Sequence, residues 1–297
     1  MLQEYRCAGT RPRCAALLAA NLFAAAASAQ VPQFDHVVVV VMENHSFGEI
    51  VGSESAPYIN SLAAQGATFT SSFAIEHPSQ PNYADLFSGA NQGMTNDTCL
   101  VGSPLGSDNL GSQLIAADFS FTGYSEDLPS AGSTICISGL YARKHNPWVN
   151  FSNVPVASNQ PLTSFPSDFS TLPTLAFVIP NQCNDMHNSS GCASTPVVNG
   201  DTWLQAHLDD YAQWAKTNNS LLVLTWDEDD SSQSNQILTI FAGALVIPGN
   251  YAETINHYSV LATLEAMYGL TQIGGAIGKT AITDVWDTTL FQDGFEP

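Results

Sequence analysis

Five consecutive valines, Val37 to Val41, open the most strongly patterned stretch of this chain and run directly into Met42, Glu43 and Asn44. An unbroken β-branched run without polar alternation predicts a strand buried on both faces, as in a parallel sheet covered by helices. The pattern returns at residues 175–180, ahead of Asn181, Asp185 and His187, and at residues 221–226, ahead of Asp227, Glu228, Asp229 and Asp230. If the three strands lie side by side, their polar tips converge on one edge of the sheet, where ligands bind in open α/β folds. Oxygen ligands at that place point to a metal or phosphate site.

Other elements follow from spacing. Apolar residues at helical intervals over 56–65, stopped by Gly66, predict a helix, and residues 69–74 a short strand. Pro81 suits the first turn of a helix, which sets Ser79 just ahead of that turn's free amides. Ser79 then has two readings: a cap for its helix, or a hydroxyl that attacks a phosphate held by the helix N-terminus. From 90 to 138 the chain turns to Gly, Ser, Asn and Asp, with one helix near 110–117 and a strand at 119–124, and residues 148–170 read as irregular surface. Leu204, Leu208, Tyr211 and Ala215 mark a helix that opens at Asp201, whose carboxylate reads as its N-cap. Residues 237–247 predict a strand, in all a pair, and His257 opens a helix over 258–268.

Length and charge narrow the class. The 297 residues are 44% hydrophobic, ample for a large α/β core, and carry a net charge of −20. Arg6, Arg11 and Arg13 precede the apolar stretch from Ala15 to Ala26 and an Ala-Ser-Ala ending at Ala29. This predicts a secretory signal peptide over 1–29, too short to span a bilayer, followed by a single catalytic domain over 30–290 and a tail over 291–297. Its removal would leave 4 basic against 26 acidic residues, a net charge of −22, in a secreted or periplasmic protein with no integral membrane segment. Such a surface repels nucleic acid and anionic membranes, excludes nucleic acid as a partner, and offers no basic patch for phosphate. Of the cysteines after residue 29, Cys99, Cys136, Cys183 and Cys192, three pairings are open, and Cys99–Cys136 with Cys183–Cys192 is the simplest.

The chemistry-bearing residues are Glu43, Asn44, Ser79, His145, Asp185, His187, Asp227, Glu228 and His257. Carboxylates mixed with imidazoles fit a divalent metal ion of the Zn, Mn or Ca range. Arg143 and Lys144, beside His145, stand either to meet an anion or to offset local acid. A Ser-His-Asp hydrolase fails on motif, because no Gly-x-Ser-x-Gly occurs and Ser79 lies between Pro78 and Gln80.

Six blocks occur in one order: Val-Val-Val-Met-Glu-Asn-His-Ser-Phe ending at Phe47, His-Pro-Ser-Gln-Pro-Asn-Tyr at Tyr83, Lys-His-Asn-Pro at Pro147, Asn-Asp-Met-His at His187, Gly-Asp-Thr-Trp-Leu at Leu204 and Thr-Trp-Asp-Glu at Glu228. Together they resemble the phosphoesterase family of bacterial acid phosphatases of the A type and phospholipases C, within the alkaline phosphatase superfamily, over about residues 36–270. The resemblance implies a three-layer α/β/α fold with a mostly parallel central sheet. It implies Ser79 as nucleophile, Glu43, Asn44, Asp185, Asp227 and Glu228 at the metal, Asn44 and His145 on the substrate phosphate, and His187 and His257 assisting the leaving group. In the other arrangement His187 and His257, with Asp185, hold a second metal; the sequence does not count metals.

The implied function is a secreted, metal-dependent phosphoric monoester hydrolase working through a phosphoserine. Its partner is a small phosphate ester or a phospholipid head group. The alternative is a phosphodiesterase of phospholipase C type, for which Trp148 and Tyr141 near His145 are candidates for a choline-binding cage. A binding protein that lost catalysis is disfavoured, since Ser79 stands together with its expected metal ligands. Oligomeric state is not legible.

Overall fold

The computed structural model describes residues 31–187 and 189–287. The expected signal peptide and tail lie outside the described residues. Strand β1 (His36–Met42) carries the valine run, and Val37 to Val41 are all at most 1% exposed. Burying each of these side chains contributes on the order of 1.5–3 kcal/mol. Alternate valines serve opposite faces, as the two-residue period of a strand requires. Val37, Val39 and Val41 pack with α3 (Ser79–Ser88), α4 (Leu110–Ala116) and α6 (His257–Met267); Val38, Val40 and Met42 pack with α1 (Phe47–Ile50), α2 (Pro57–Gln65) and α5 (Pro196–Ala215). The result is the three-layer α/β/α arrangement that the run predicts.

Among the described residues, eight strands form the sheet. With β2 (Ala67–Phe73), β3 (Phe121–Ser125), β6 (Asn159–Pro161), β7 (Leu175–Ile179), β8 (Ser220–Trp226), β9 (Gln236–Gly243) and β10 (Gly249–Asn256), the order is β10-β2-β9-β8-β1-β7-β3-β6. Only β9 runs against its neighbours. A small antiparallel ribbon, β4 (Ile137–Ser138) with β5 (Tyr141–Ala142), stands apart. The three strands with polar tips are adjacent at the centre: β1 pairs in parallel with β8, Met42 opposite Trp226, and with β7, Val40 opposite Val178. Their carboxyl ends therefore leave the sheet together.

Several expectations change. Residues 237–247 give one strand and not a pair: β9 ends at Gly243, and β10 begins at Gly249 with β2 lying between the two in the sheet. The irregular stretch 148–170 supplies the edge strand β6, where Pro161 is tolerated because its missing amide faces no further strand. Helix α5 begins five residues before Asp201, and that carboxylate caps a different helix: it accepts the amides of Tyr58 and Ile59 at 3.2 and 2.8 Å, in the first turn of α2. Trp148 and Tyr141 form no ligand cage, since both are buried. Trp148 lies against β3 at Gly123, where any Cβ would meet its ring, and donates to Asn159 at 2.9 Å. Both disulfides of the simplest pairing are formed, Cys99–Cys136 and Cys183–Cys192.

Candidate active site

Glu43 is the centre of the site. It is fully buried at the end of β1, held there by its own amide on the Asp185 carbonyl at 2.8 Å. One carboxylate oxygen accepts from Tyr83 OH at 2.6 Å and lies 3.0 Å from His145 Nε2. The other accepts from Ser79 Oγ at 3.0 Å and Asn44 Nδ2 at 3.1 Å, with His187 Nδ1 at 3.3 Å. Asn44 follows with φ of +50°, a left-handed conformation that asparagine tolerates better than most residues. This turns its amide onto Asp227 Oδ1 at 3.2 Å, across to the tip of β8.

The tip of β7 supplies Asp185 and His187. Met186 between them has φ of +86°, and the turn puts both side chains on the Glu43 side, with the His187 amide donating to Asp185 at 2.9 Å. His145 comes from the turn after β5 and stacks between Tyr83 and His187, at 5.1 and 5.2 Å between ring centroids. Asp185 lies 3.4 Å from His145 Nδ1 and 3.3 Å from His187 Nδ1.

Ser79 opens α3 but does not cap it. The cap position is Pro78, and the Ser79 hydroxyl points instead at two carboxylates, Glu43 at 3.0 Å and Glu228 Oε1 at 3.2 Å. One hydroxyl hydrogen serves one acceptor, so the second oxygen approach needs a shared proton or a cation nearby. The expected phosphate cradle at this helix end is only partly free: the Gln80 amide donates to Asp97 at 3.0 Å, and Pro81 has no amide hydrogen. Glu228 is steadied on its other oxygen by Asn82 Nδ2 at 3.3 Å and His77 Nδ1 at 2.8 Å.

The acidic run after β8 divides by role. Asp227 presents an unpartnered buried Oδ2, Glu228 faces Ser79, and Asp229 is tied down by the amides of Ser231, Gln233 and Asn235. His257, first residue of α6, points Nε2 at the Asp227 carbonyl at 2.7 Å and leaves Nδ1 without a partner. Its Nε2 carries the proton in that bond, so Nδ1 offers a lone pair.

Arg143 does not face an anion. It is buried, and its guanidinium donates to the carbonyls of Thr134, Gly102 and Val149 and to Asn150 Oδ1. Lys144 pairs with Asp97 at 2.8 Å.

Burial and like charge set the electrostatics of the cluster. Burial, then the charge of Asp185, drives Glu43 well above the ordinary carboxylate range; burial, then Glu43 and Glu228, does the same to Asp227. Burial also raises Glu228. Asp185 is pushed up by burial but held below its usual value by His145 and His187. Burial lowers His145 and His257 to about 4. Ligand atoms of Glu43, His145, Asp185 and His187 all lie within 4.8 Å of one another, and this group could hold a metal ion. His145 Nε2, His187 Nδ1 and Asp185 Oδ2 approach their neighbours closely without satisfying hydrogen-bond geometry, which fits donors arranged around a cation rather than around each other. The nitrogen and carboxylate set suits a divalent metal ion.

A model of the phosphoesterase family matches residues 53–271. The chain belongs to the phosphoesterase family. It is 55% identical over 263 residues to phosphatidylinositol-3-phosphatase of Mycobacterium tuberculosis, covering 88% of this chain and 85% of that one. It is 32% identical over 259 residues to the phosphate-repressible acid phosphatase of Penicillium chrysogenum, covering 81% of this chain and 60% of that one, so it spans about 60% of the fungal enzyme's length. In fold it is similar to a protein of the alkaline phosphatase superfamily from Vibrio parahaemolyticus, with a TM-score of 0.59 at 13% identity over 84% of this chain and 71% of that one. This phosphoesterase is thus a hydrolase acting on phosphate esters, on an alkaline-phosphatase-like fold.

All nine candidate residues meet at the one sheet edge, with His257 reaching it through the Asp227 carbonyl. Tyr83, Asn82 and His77 join the site without being among the residues that the sequence marks. Ser79, Asn82 and Tyr83 stand at i, i+3 and i+4 of one helix, which places them on one face, and that spacing was the available signal. His77 carried no comparable mark.

Proposed function

We propose that this phosphoesterase is a metal-dependent phosphomonoesterase in which Ser79 is the nucleophile. The observation that carries this reading is the Ser79 hydroxyl held between Glu43 and Glu228 at 3.0 and 3.2 Å instead of capping α3. Glu43, His145, Asp185 and His187 would hold a divalent metal, and the unpartnered Asp227 Oδ2 adds a further carboxylate oxygen. Such an ion, when bound, screens phosphate charge and lowers the pKa of a nearby hydroxyl. Asn44, whose side-chain amide contacts Glu43 and His187 Nε2 at 3.1 and 3.2 Å, would exchange one of these contacts for a phosphate oxygen.

In the first step Ser79 Oγ attacks phosphorus in line as the bond to the leaving oxygen breaks, and the serine proton passes to Glu228, which Asn82 and His77 keep aimed at it, and from Glu228 to the departing oxygen, which leaves as the alcohol. Water then attacks the phosphoserine and regenerates Ser79 with release of phosphate. His257 is a positioning residue in this scheme, fixing the carbonyl of Asp227.

The substrate reading follows the relatives. A phosphatidylinositol-3-phosphatase at 55% identity favours a phosphomonoester carried on a lipid head group over a choline diester, and the burial of Trp148 and Tyr141 removes the cage that the diester reading needs. Two disulfides support an oxidising, extracytoplasmic setting, and with it export. No helix among the described residues is long and apolar enough to cross a membrane. Purified protein assayed on p-nitrophenyl phosphate, p-nitrophenyl phosphorylcholine and phosphatidylinositol 3-phosphate, with and without chelator, tests the reading. Chelator-sensitive hydrolysis of both monoesters supports it; preference for the choline diester overturns it.

A further inference from the structure

Two of the four residues that could hold the metal ion, Asp185 and His187, stand on the turn after β7, where residues 180–187 form neither helix nor strand. Irregular backbone keeps ligands in place only when its polar groups are tied down. One carboxylate outside the site supplies much of that anchorage.

Glu126 follows the last residue of β3 and extends the ladder with β7, donating its amide to the Ile179 carbonyl at 2.9 Å. Its half-buried side chain then reaches across the end of β7. Oε2 accepts the Asn181 amide at 2.9 Å, and both carboxylate oxygens lie 3.0 Å from Asn184 Nδ2. Asp127 beside it accepts from Asn181 Nδ2 at 2.8 Å. Asn181 passes the anchorage forward. Its Oδ1 accepts the amides of Cys183 and Asn184 at 3.0 and 3.1 Å, and its carbonyl accepts those of Asn184 and Asp185 at 2.9 and 2.8 Å. Asp185 in turn holds the Glu43 amide on its carbonyl at 2.8 Å and the His187 amide on its carboxylate at 2.9 Å. A run of hydrogen bonds thus leads from Glu126 to three of the four candidate ligands. The Gln182 amide on the Leu140 carbonyl at 3.0 Å and the Cys183–Cys192 bridge fix the residues between Asn181 and Asn184, so the turn is gripped from both sides just ahead of Asp185.

We propose that Glu126 is a positioning residue for the metal centre: by gripping Asn181 and Asn184 it sets the turn that places Asp185 and His187 beside Glu43. The inference rests on the metal-centre reading given above. Glu126 is not itself a ligand, since both of its oxygens face donors of Asn181 and Asn184. Without it the Asn181 amide and the Asn184 side chain turn to water, and the turn gains arrangements in which Asp185 and His187 stand apart. Metal affinity then falls by the fraction of molecules in which the turn is still set.

The test is zinc binding to the purified protein, read by competition with a chromogenic chelator, beside Tm and turnover of p-nitrophenyl phosphate as zinc is raised. Glu126→Ala should bind zinc about 10–100-fold more weakly, with turnover restored by excess zinc. Glu126→Gln, which keeps an acceptor for the Asn181 amide, should recover most of the affinity. Asn184→Ala removes the donor instead of the acceptor and should repeat the loss; should Glu126→Ala fail to fold, this variant decides by the same readouts. Asp201→Ala strips a cap from α2 without touching the turn, and should lose Tm while binding zinc like wild type. A Glu126→Ala protein that loses Tm yet binds zinc like wild type would reduce Glu126 to a structural role and overturn the proposal. So would turnover that stays low at saturating zinc with affinity unchanged. Wild type that binds neither zinc nor manganese would overturn the metal-centre reading and the proposal together, whereas wild-type binding with unaffected variants overturns the proposal alone.

Discussion

Replacing Tyr83 by Phe removes one oxygen atom from the most crowded point of the site. Tyr83 OH is buried and donates to Glu43 at 2.6 Å, the shortest of the contacts that carboxylate receives. The ring itself stays, and with it the stack on His145. What is lost is a hydrogen bond that favours the ionised form of Glu43, the form a metal would bind, worth about 1.5–3 kcal/mol. If Glu43 is a metal ligand, that loss appears as roughly 10–100-fold weaker metal binding, in line with removal of partners that orient ligands elsewhere. Competition with a chromogenic chelator measures the affinity, and turnover at saturating metal separates occupancy from chemistry. Weakened binding with turnover largely restored by excess metal is the expected outcome. Unchanged affinity and unchanged turnover would refute the view that Tyr83 holds Glu43 for a metal.

Other consequences can be checked alongside. Asp201→Ala, which strips the cap from α2, should lower stability by about 1–3 kcal/mol, or a few degrees in Tm, while turnover at room temperature stays unchanged; an unaltered Tm would contradict the capping role. His257 should titrate near 4 when followed by NMR, because burial disfavours its charged form. A histidine whose folded pKa lies below its usual 6.5 stabilises the fold fully above about 6.5, and that stability is lost as pH falls toward 4, amounting to about 3 kcal/mol. The Tm of wild type should therefore fall more steeply than that of His257→Asn between these limits, and parallel curves would count against a neutral buried ring. The raised carboxyls Glu43 and Asp227 act in the opposite sense in metal-free protein. Their ionisation costs stability as pH rises, so chelator should lower Tm more at neutral pH than in mild acid.

Much of this site is legible in the chain because strand ends announce themselves. The runs ending at Met42, Ile179 and Trp226 are apolar without alternation, and polar residues directly after a buried strand have few places to go except the sheet edge. The adjacency of β7, β1 and β8 then follows as the simplest way to use them. Residues whose roles are set by distant partners were not legible. Asp201 stands where a helix cap would stand, yet it serves α2, and nothing local marks a partner 142 residues away. Arg143 beside His145 looks like an anion site until the three carbonyls around it are seen. Tyr83 reads as one more aromatic of a buried helix, and only its 2.6 Å contact with Glu43 gives it a polar task.

The most direct test of the nucleophile assignment is to quench the enzyme in acid during turnover of a radiolabelled phosphomonoester and map the label by mass spectrometry, with Ser79→Ala in parallel. The account predicts phosphate on Ser79 in wild type, and in the variant no label and turnover lower by several orders of magnitude with Tm retained. Turnover preserved in Ser79→Ala, or label on another residue, would contradict it.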